Sequence, residues 1–259
     1  MSALSDWLVP DWPAAGVGAL MTTREGGVSV GPYRSMNLGL ATGDDAAAVR
    51  ANRQALAEAC SALPVFLRQV HGRRVVRVGA ADTAAGVAAP EADASVTTEP
   101  GIACTVLAAD CLPVLFAAPG GRAVAAAHAG WRGLAAGVLE AALAAVCDAG
   151  DCPPADVAVW LGACIGPRAF EVGPDVLRAM GADPADAEGG RFRPNRPGHW
   201  LADLPGLAED RLRSAGIARI HGGGWCTVES PSRFFSYRRD GVTGRMAAAV
   251  WIDAGSGAG

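Results

Sequence analysis

Lysine is absent from the 259 residues: all 22 basic side chains are arginine. That excludes every mechanism needing an ε-amine, from a Schiff-base lysine to the lysine of a phosphate-binding P-loop. Long apolar runs are missing too, and none approaches the ~18 residues a membrane-spanning helix needs. Residues 1–11 carry Asp6 and lack a basic start followed by an apolar stretch, so no secretory signal is read there. Basic charge is not in excess: 26 acidic side chains against 22 arginines leave a net charge of −4 and a pI near 5.6. Neither nucleic acid nor an anionic membrane is an expected partner. Paired cysteine spacings such as C-x-x-C do not occur among the seven cysteines. Reduced thiols in a soluble, cytoplasmic protein are the expectation. Cys60, Cys104, Cys147, Cys152 and Cys164 lie in apolar surroundings and read as small core residues.

What is present is core-forming sequence. The hydrophobic fraction is 51% and mean hydropathy is +0.22, well away from the composition of disordered chains. Strands are expected at 17–23, 65–70, 75–78, 93–97, 102–108, 114–118, 123–127, 157–164, 234–237 and 245–252, where short apolar runs are cut by Gly or Pro. Helices are expected at 46–59, with Asp44 or Asp45 as N-cap, and at 134–149, 174–180 and 204–215. Residues 181–202, rich in Pro, Gly, Asp and Arg, read as a lid or an insertion. Strands outnumber helices and do not alternate with them regularly. One mixed α/β (α+β) domain spanning 1–259 is therefore expected rather than a doubly wound fold.

The chain is organised around Thr105–Gly133. There an apolar run ends at Asp110-Cys111, a second follows, Gly120-Gly121 turns the chain, and an Ala-rich run leads to His128. His71, in Gln69-Val70-His71-Gly72, also closes an apolar run. Only four histidines exist, the others being His199 and His221. Two imidazoles and one thiol form a three-ligand set for Zn²⁺ with a fourth position left for water, and the same donors suit copper. The spacing alone leaves a second possibility, in which Cys111 is a thiolate nucleophile and His128 its base. Asp110 is a candidate to orient that imidazole, although neighbours on a strand point to opposite faces. A third reading treats the three as unrelated residues at strand ends. After His128, the turn Gly130–Gly133 brings a helix N-terminus towards the site, where backbone N–H groups and Arg132 can attract an anion. Further arginine candidates are Arg24, Arg53, Arg238, Arg239 and Arg245.

Gln69-Val70-His71-Gly72, Ala109-Asp110-Cys111-Leu112-Pro113 and His128-Ala129-Gly130-Trp131-Arg132-Gly133 resemble the three signature blocks of one bacterial family. Its names are polyphenol oxidase (laccase-like), purine nucleoside phosphorylase and peptidoglycan editing factor. The resemblance extends over Thr22–Gly27, Asn37-Leu38-Gly39, Asn52-Arg53, Ile165-Gly166-Pro167, Phe235–Arg239 and Thr243-Gly244-Arg245. It implies a layered α-β-β-α sandwich related to Cys-His toxin deamidases, with His71, Cys111 and His128 as ligands of Zn²⁺ or Cu²⁺. Cys226 matches a family position near the pocket but is not read as a ligand.

The resemblance also implies phosphorolysis of adenosine, inosine and methylthioadenosine, together with adenosine deamination. Catalytic roles then fall to His71, Cys111, His128 and Asp110, and substrate contacts to Arg24, Arg53, Gln69 and Arg132. The ligands are a purine nucleoside and phosphate, and the protein is a monomer or small homo-oligomer. The editing-factor name implies the alternative of a Cys-His amidase acting on a cell-wall precursor. Weak copper-dependent phenol oxidation and metal binding without turnover are further alternatives. A coupled multicopper cluster needs more imidazoles than His199 and His221 can add.

Overall fold

The computed structural model describes residues 6–84, 86–183 and 190–255. Its centre is the hairpin of 112–117 and 124–129, in which every residue is buried because both faces are covered. Leu112, Val114 and Phe116 join the core on the helix side, whereas Leu115 and Ala117 join the core between the two main sheets. This is the period-two alternation of a strand with two apolar faces.

In chain order the elements begin with β1 (Val17–Met21), α1 (Ala46–Cys60), β2 (Leu63–Phe66), β3 (Val75–Arg77), β4 (Ala94–Thr97) and β5 (Ile102–Ala108). The central hairpin is β6 (Leu112–Ala117) and β7 (Val124–Ala129), followed by α2 (Trp131–Ala136) and α3 (Val138–Gly150). Then come β8 (Ala158–Leu161), β9 (Glu171–Val172), α4 (Pro174–Ala179), β10 (Phe192–Arg196), β11 (His199–Ala202) and α5 (Leu204–Ser214). The last elements are β12 (Arg219–Gly222), α6 (Tyr237–Asp240) and β13 (Met246–Ile252).

One sheet has the order β1-β13-β5-β2 and the other β12-β8-β6-β7-β4-β3. Only β2–β5, β3–β4 and β8–β12 pair in parallel within them. Met21, Cys104, Val106, Ala248 and Val250 from the first sheet meet Leu115, Val124, Ala126 and Trp160 from the second. Helix α1 covers the outer face of the four-stranded sheet through Val49, Leu56 and Cys60. Helix α3 covers the six-stranded one through Val138, Leu139, Ala142, Leu143 and Val146. The architecture is a mixed α/β arrangement of four layers, α-β-β-α. Among the described residues no helix is long and apolar enough to cross a membrane.

Four local expectations are corrected. The helix expected at 134–149 is two helices, because Gly137 takes φ +91°, a conformation that glycine adopts without a Cβ clash. Residues 234–237 form no strand: Ser230 and Ser236 accept or cap turns, and Tyr237 opens α6 with Ser236 Oγ accepting the Arg239 N–H. The polar stretch read as a lid contains β10 and β11, which form with β9 a small antiparallel sheet of order β10-β11-β9, while residues 184–189 lie outside the described ones. Strand β12 was not expected from its Arg- and Gly-flanked sequence. Asp45 is the N-cap of α1, accepting from Ala47 and Ala48 N–H.

Candidate metal centre

Strand parity fixes the first ligand. His128 shares its face of β7 with Val124 and Ala126, the face towards the other sheet, but lies near the strand end where the layer opens. Cys111 immediately precedes β6, the strand paired with β7. His71 is in the loop joining β2 to β3. His71 Nε2 lies 3.8 Å from Cys111 Sγ, and the two imidazole rings meet edge to face at 4.8 Å between centroids. One potential ligand atom from each of the three residues lies within 4.8 Å of the others. His128 is buried, Cys111 half-buried and His71 exposed, so the cluster opens outward on one side.

The backbone around the cluster is unusual. Among the described residues four non-glycine positions have positive φ, and two of them are His71 at +61° and Asp110 at +97°. Such conformations are costly and concentrate at functional sites. Gly130 passes so close that a Cβ there would lie 2.8 Å from Cys111 Sγ and 3.0 Å from His71 Cδ2. Only glycine lets the chain leave β7 past the two ligands.

Asp93 ties the cluster together. Its buried carboxylate accepts the Nδ1–H of His128 at 2.9 Å and the backbone N–H groups of Val70, His71 and Gly72 at 3.1, 2.9 and 2.7 Å. Its carbonyl accepts the His128 N–H at 2.7 Å. One acid thus fixes the His128 ring with Nε2 facing the cluster and holds the loop that presents His71. A carboxylate behind a ligating imidazole raises its basicity and locks its orientation. Burial alone would raise the Asp93 pKa, but the hydrogen bonds from His128, Gly72 and Val70 outweigh it and hold it below the usual carboxylate value.

The same balance sets the other two groups. Burial disfavours the Cys111 thiolate, yet His128 and His71 beside it pull its pKa well down. Burial disfavours the His128 imidazolium, yet Cys111 and Asp93 push its pKa up. Both shifts favour the thiolate–imidazolium form of the pair, whereas the distant thiols of Cys60 and Cys104 are pushed up to about 12 by burial. Two imidazoles and an ionisable thiol gathered this closely, with an acid behind one of them, fit a Zn²⁺ or copper ion with a remaining open position.

The cluster forms one wall of a cavity of about 690 Å³. Arg53, Phe66, Gln69, Leu107, Tyr237 and Arg245 contribute to the other walls. Arg53 donates from Nε to the Leu38 carbonyl at 2.9 Å, and its guanidinium stacks 3.7 Å above the Phe66 ring. Desolvation lowers its pKa to about 10, so it stays charged at neutral pH. Arg245 donates to the carbonyls of Thr243 and Gly244 at 3.0 and 2.9 Å. Neither arginine takes part in any of the ion pairs found among the described residues.

Several site expectations meet a different placement. Asp110 does not orient His128: its carboxylate faces Thr227 and Arg238, and Asp93 occupies the orienting position. Gln69 lines the cavity, but its amide donates to Leu107 O at 2.9 Å and accepts from Leu107 N at 2.8 Å, extending the β2–β5 ladder. Arg132 is exposed and rests on its neighbour Trp131, outside the cavity walls. Arg24 is also outside, bound to the carbonyls of Arg34 and Pro231. His199 and His221 sit on β11 and β12, and among the described residues only His71, Cys111 and His128 form a metal-competent group. Asp93 and Tyr237 were missed by sequence reasoning. A lone acid opening an apolar strand was the available signal for Asp93.

Comparison with known proteins adds a history to this geometry. A Pseudomonas aeruginosa protein named a purine nucleoside phosphorylase is 49% identical over 250 residues, covering 96% of this chain and 99% of that one. Purine nucleoside phosphorylase YfiH of Escherichia coli is 46% identical, covering 96% and 100%. Among solved structures, a Neisseria meningitidis protein superposes with a TM-score of 0.88 at 46% identity, covering 96% of this chain and 100% of that one. YlmD from Geobacillus stearothermophilus gives a TM-score of 0.85 at 35% identity, covering 93% of each. Residues 18–253 match the family described as multi-copper polyphenol oxidoreductase laccase, and the chain belongs to that family.

Proposed function

We propose that this chain is a metal-assisted purine nucleoside phosphorylase that also deaminates adenosine. The observation that carries the reading is the cavity itself, which joins a three-ligand cluster to two arginines without acidic partners. Unpaired guanidinium groups in a partly desolvated cavity suit a phosphate, through charge and forked N–H donors. The relatives named purine nucleoside phosphorylase support the same substrate class.

In this reading Arg53 and Arg245 hold the phosphate that attacks the anomeric carbon of the nucleoside. The C–N glycosidic bond breaks, its electron pair leaves with the purine, and ribose 1-phosphate forms. The apolar wall of Leu107, Ala108 and Phe66 excludes water that would compete with phosphate. His71, Cys111 and His128 would hold Zn²⁺ or Cu²⁺, which supplies Lewis-acid charge stabilisation. Asp93 keeps His128 facing the cluster throughout.

One observation favours a second reading. Asp93, His128 and Cys111 in the metal-free cluster have the connectivity of an acid–imidazole–thiolate set, the arrangement of a Cys-His amidase. Product analysis separates the two. Adenosine and phosphate are incubated with as-purified protein and with chelator-stripped protein. Ribose 1-phosphate with adenine, or inosine, formed only with metal present supports the proposal. Absence of product from both, together with loss of amide hydrolysis after iodoacetamide treatment, would replace it with the amidase.

A further inference from the structure

We propose that Asp110 is a positioning residue: its carboxylate clamps the ligand Cys111 and the cavity wall at Tyr237 into one rigid unit. The inference rests on the reading of the cavity as the nucleoside site. Asp110 is half-buried and adjacent to Cys111, and both its carboxylate oxygens are used away from the cluster. Oδ1 accepts the hydroxyl of the fully buried Thr227 at 2.5 Å. Oδ2 accepts the backbone N–H of Arg238 at 2.6 Å. Its carbonyl accepts the N–H of Ile165 at 2.9 Å. The residue makes these three contacts from φ +97°, a conformation that needs the surrounding structure to hold it.

The partners define what is clamped. Arg238 is the second residue of α6, and the residue before it, Tyr237, is 61% exposed while lining the cavity. Large exposed aromatics are uncommon on a closed surface, and here the ring stands at the cavity opening. Further contacts of α6 are capping by buried Ser236, the Arg238 guanidinium bound to Glu171 O at 3.0 Å, and the Arg239 guanidinium bound to the carbonyls of Thr227, Val228 and Phe234 at 2.7, 3.2 and 3.0 Å. Thr227 is anchored in turn by its N–H to Cys164 O at 2.9 Å. Asp110 therefore links Cys111, the 164–165 segment and α6 through one side chain and one carbonyl. Asp110 is not among the residues that line the cavity, and its carboxylate is directed to Thr227 and Arg238, which places it to position its neighbours rather than to take a proton from substrate.

Chemistry offers a discriminating substitution. In Asp110→Asn the amide oxygen can accept the Arg238 N–H while the amide NH₂ donates to Thr227 Oγ, since a hydroxyl accepts as readily as it donates. Asparagine also tolerates positive φ better than most residues. Asp110→Ala removes both arms, and Thr227→Val removes one without touching the ligand loop.

Backbone hydrogen exchange of wild type, Asp110→Ala, Asp110→Asn and Thr227→Val, followed in peptides covering 234–241, is the first measurement. Nucleoside and phosphate KM and kcat for the same proteins are the second. The clamp predicts faster exchange in that segment for Asp110→Ala and Thr227→Val, with near-wild-type protection in Asp110→Asn. It also predicts a nucleoside KM raised about tenfold in Asp110→Ala with the phosphate KM little changed, largely rescued by Asp110→Asn. Unchanged exchange in Asp110→Ala would overturn the clamp. So would an inactive Asp110→Asn with normal protection, which would mark a proton-transfer group. If wild type turns over no nucleoside, the functional reading fails, while the exchange data still decide the clamp.

Discussion

At the His71–Cys111–His128 end of the cavity the Asp93 carboxylate is spent inside the chain, on His128 and on the three amides of the His71 loop. At the Arg53–Arg245 end the two guanidinium groups bond to backbone carbonyls and take part in none of the ion pairs among the described residues. A buried network that is fully satisfied is rigid and costly to disturb. Cations left without a counter-charge are instead available to a ligand. One end is thus built to hold a geometry and the other to receive an anion.

The largest break in that comparison is removal of a ligand. Replacing His71, Cys111 or His128 by Ala leaves two donors, so retained metal, measured by elemental analysis after gel filtration, should fall to background together with phosphorolysis. Next in size is Asp93→Asn. Loss of the orienting carboxylate should weaken metal binding by about 10–100-fold in a chelator competition. Leaving His128 and the loop amides without their charged partner should also cost about 3–5 kcal/mol in denaturant unfolding.

Arg53→Ala and Arg245→Ala test the other end. Each removes charge-assisted hydrogen bonds worth about 1.5–3 kcal/mol, or roughly 10–100-fold in the phosphate KM, while metal content stays at the wild-type level. A fall in metal content in these variants would merge the two ends. The smallest effect belongs to Arg132→Ala. Its side chain lies outside the cavity, so stability should move by no more than about 0.5 kcal/mol and both KM values should hold.

The two histidine ligands were legible because each closes an apolar run near a glycine, and Cys111 because it sits at the break between two apolar runs, patterns that mark where a strand opens onto a cleft. Asp93 was not, because its role depends on register. The pairing of Ala94 with Ala127 sets Asp93 beside His128, and nothing local to either segment states that pairing. Arg132 was over-read for the opposite reason. Its neighbours Gly130 and Gly133 suggested an anion-binding turn, but Gly130 is small to clear Cys111 and His71, and the guanidinium turns to Trp131. The mixed α/β class was readable from the pattern of strands and helices, whereas the layering came from the family resemblance. The Gly137 break and the Ser236 cap were not, because a glycine in an Ala- and Leu-rich run and an aromatic pair before a tyrosine each fit more than one backbone path. Strand β10 was obscured by its exposed Arg-Pro-Asn-Arg positions, and β11 by being only four residues long.

The central claim is that turnover requires a metal held at the ligand end of the cavity. Its most direct test is to strip the protein with a chelator, confirm by elemental analysis that metal is gone, and titrate Zn²⁺ back while following ribose 1-phosphate formation from adenosine and phosphate. Stripped protein should form no product, and activity should rise to a plateau near one ion per chain. Full phosphorolysis by the stripped protein, with Cys111 still required, would contradict it.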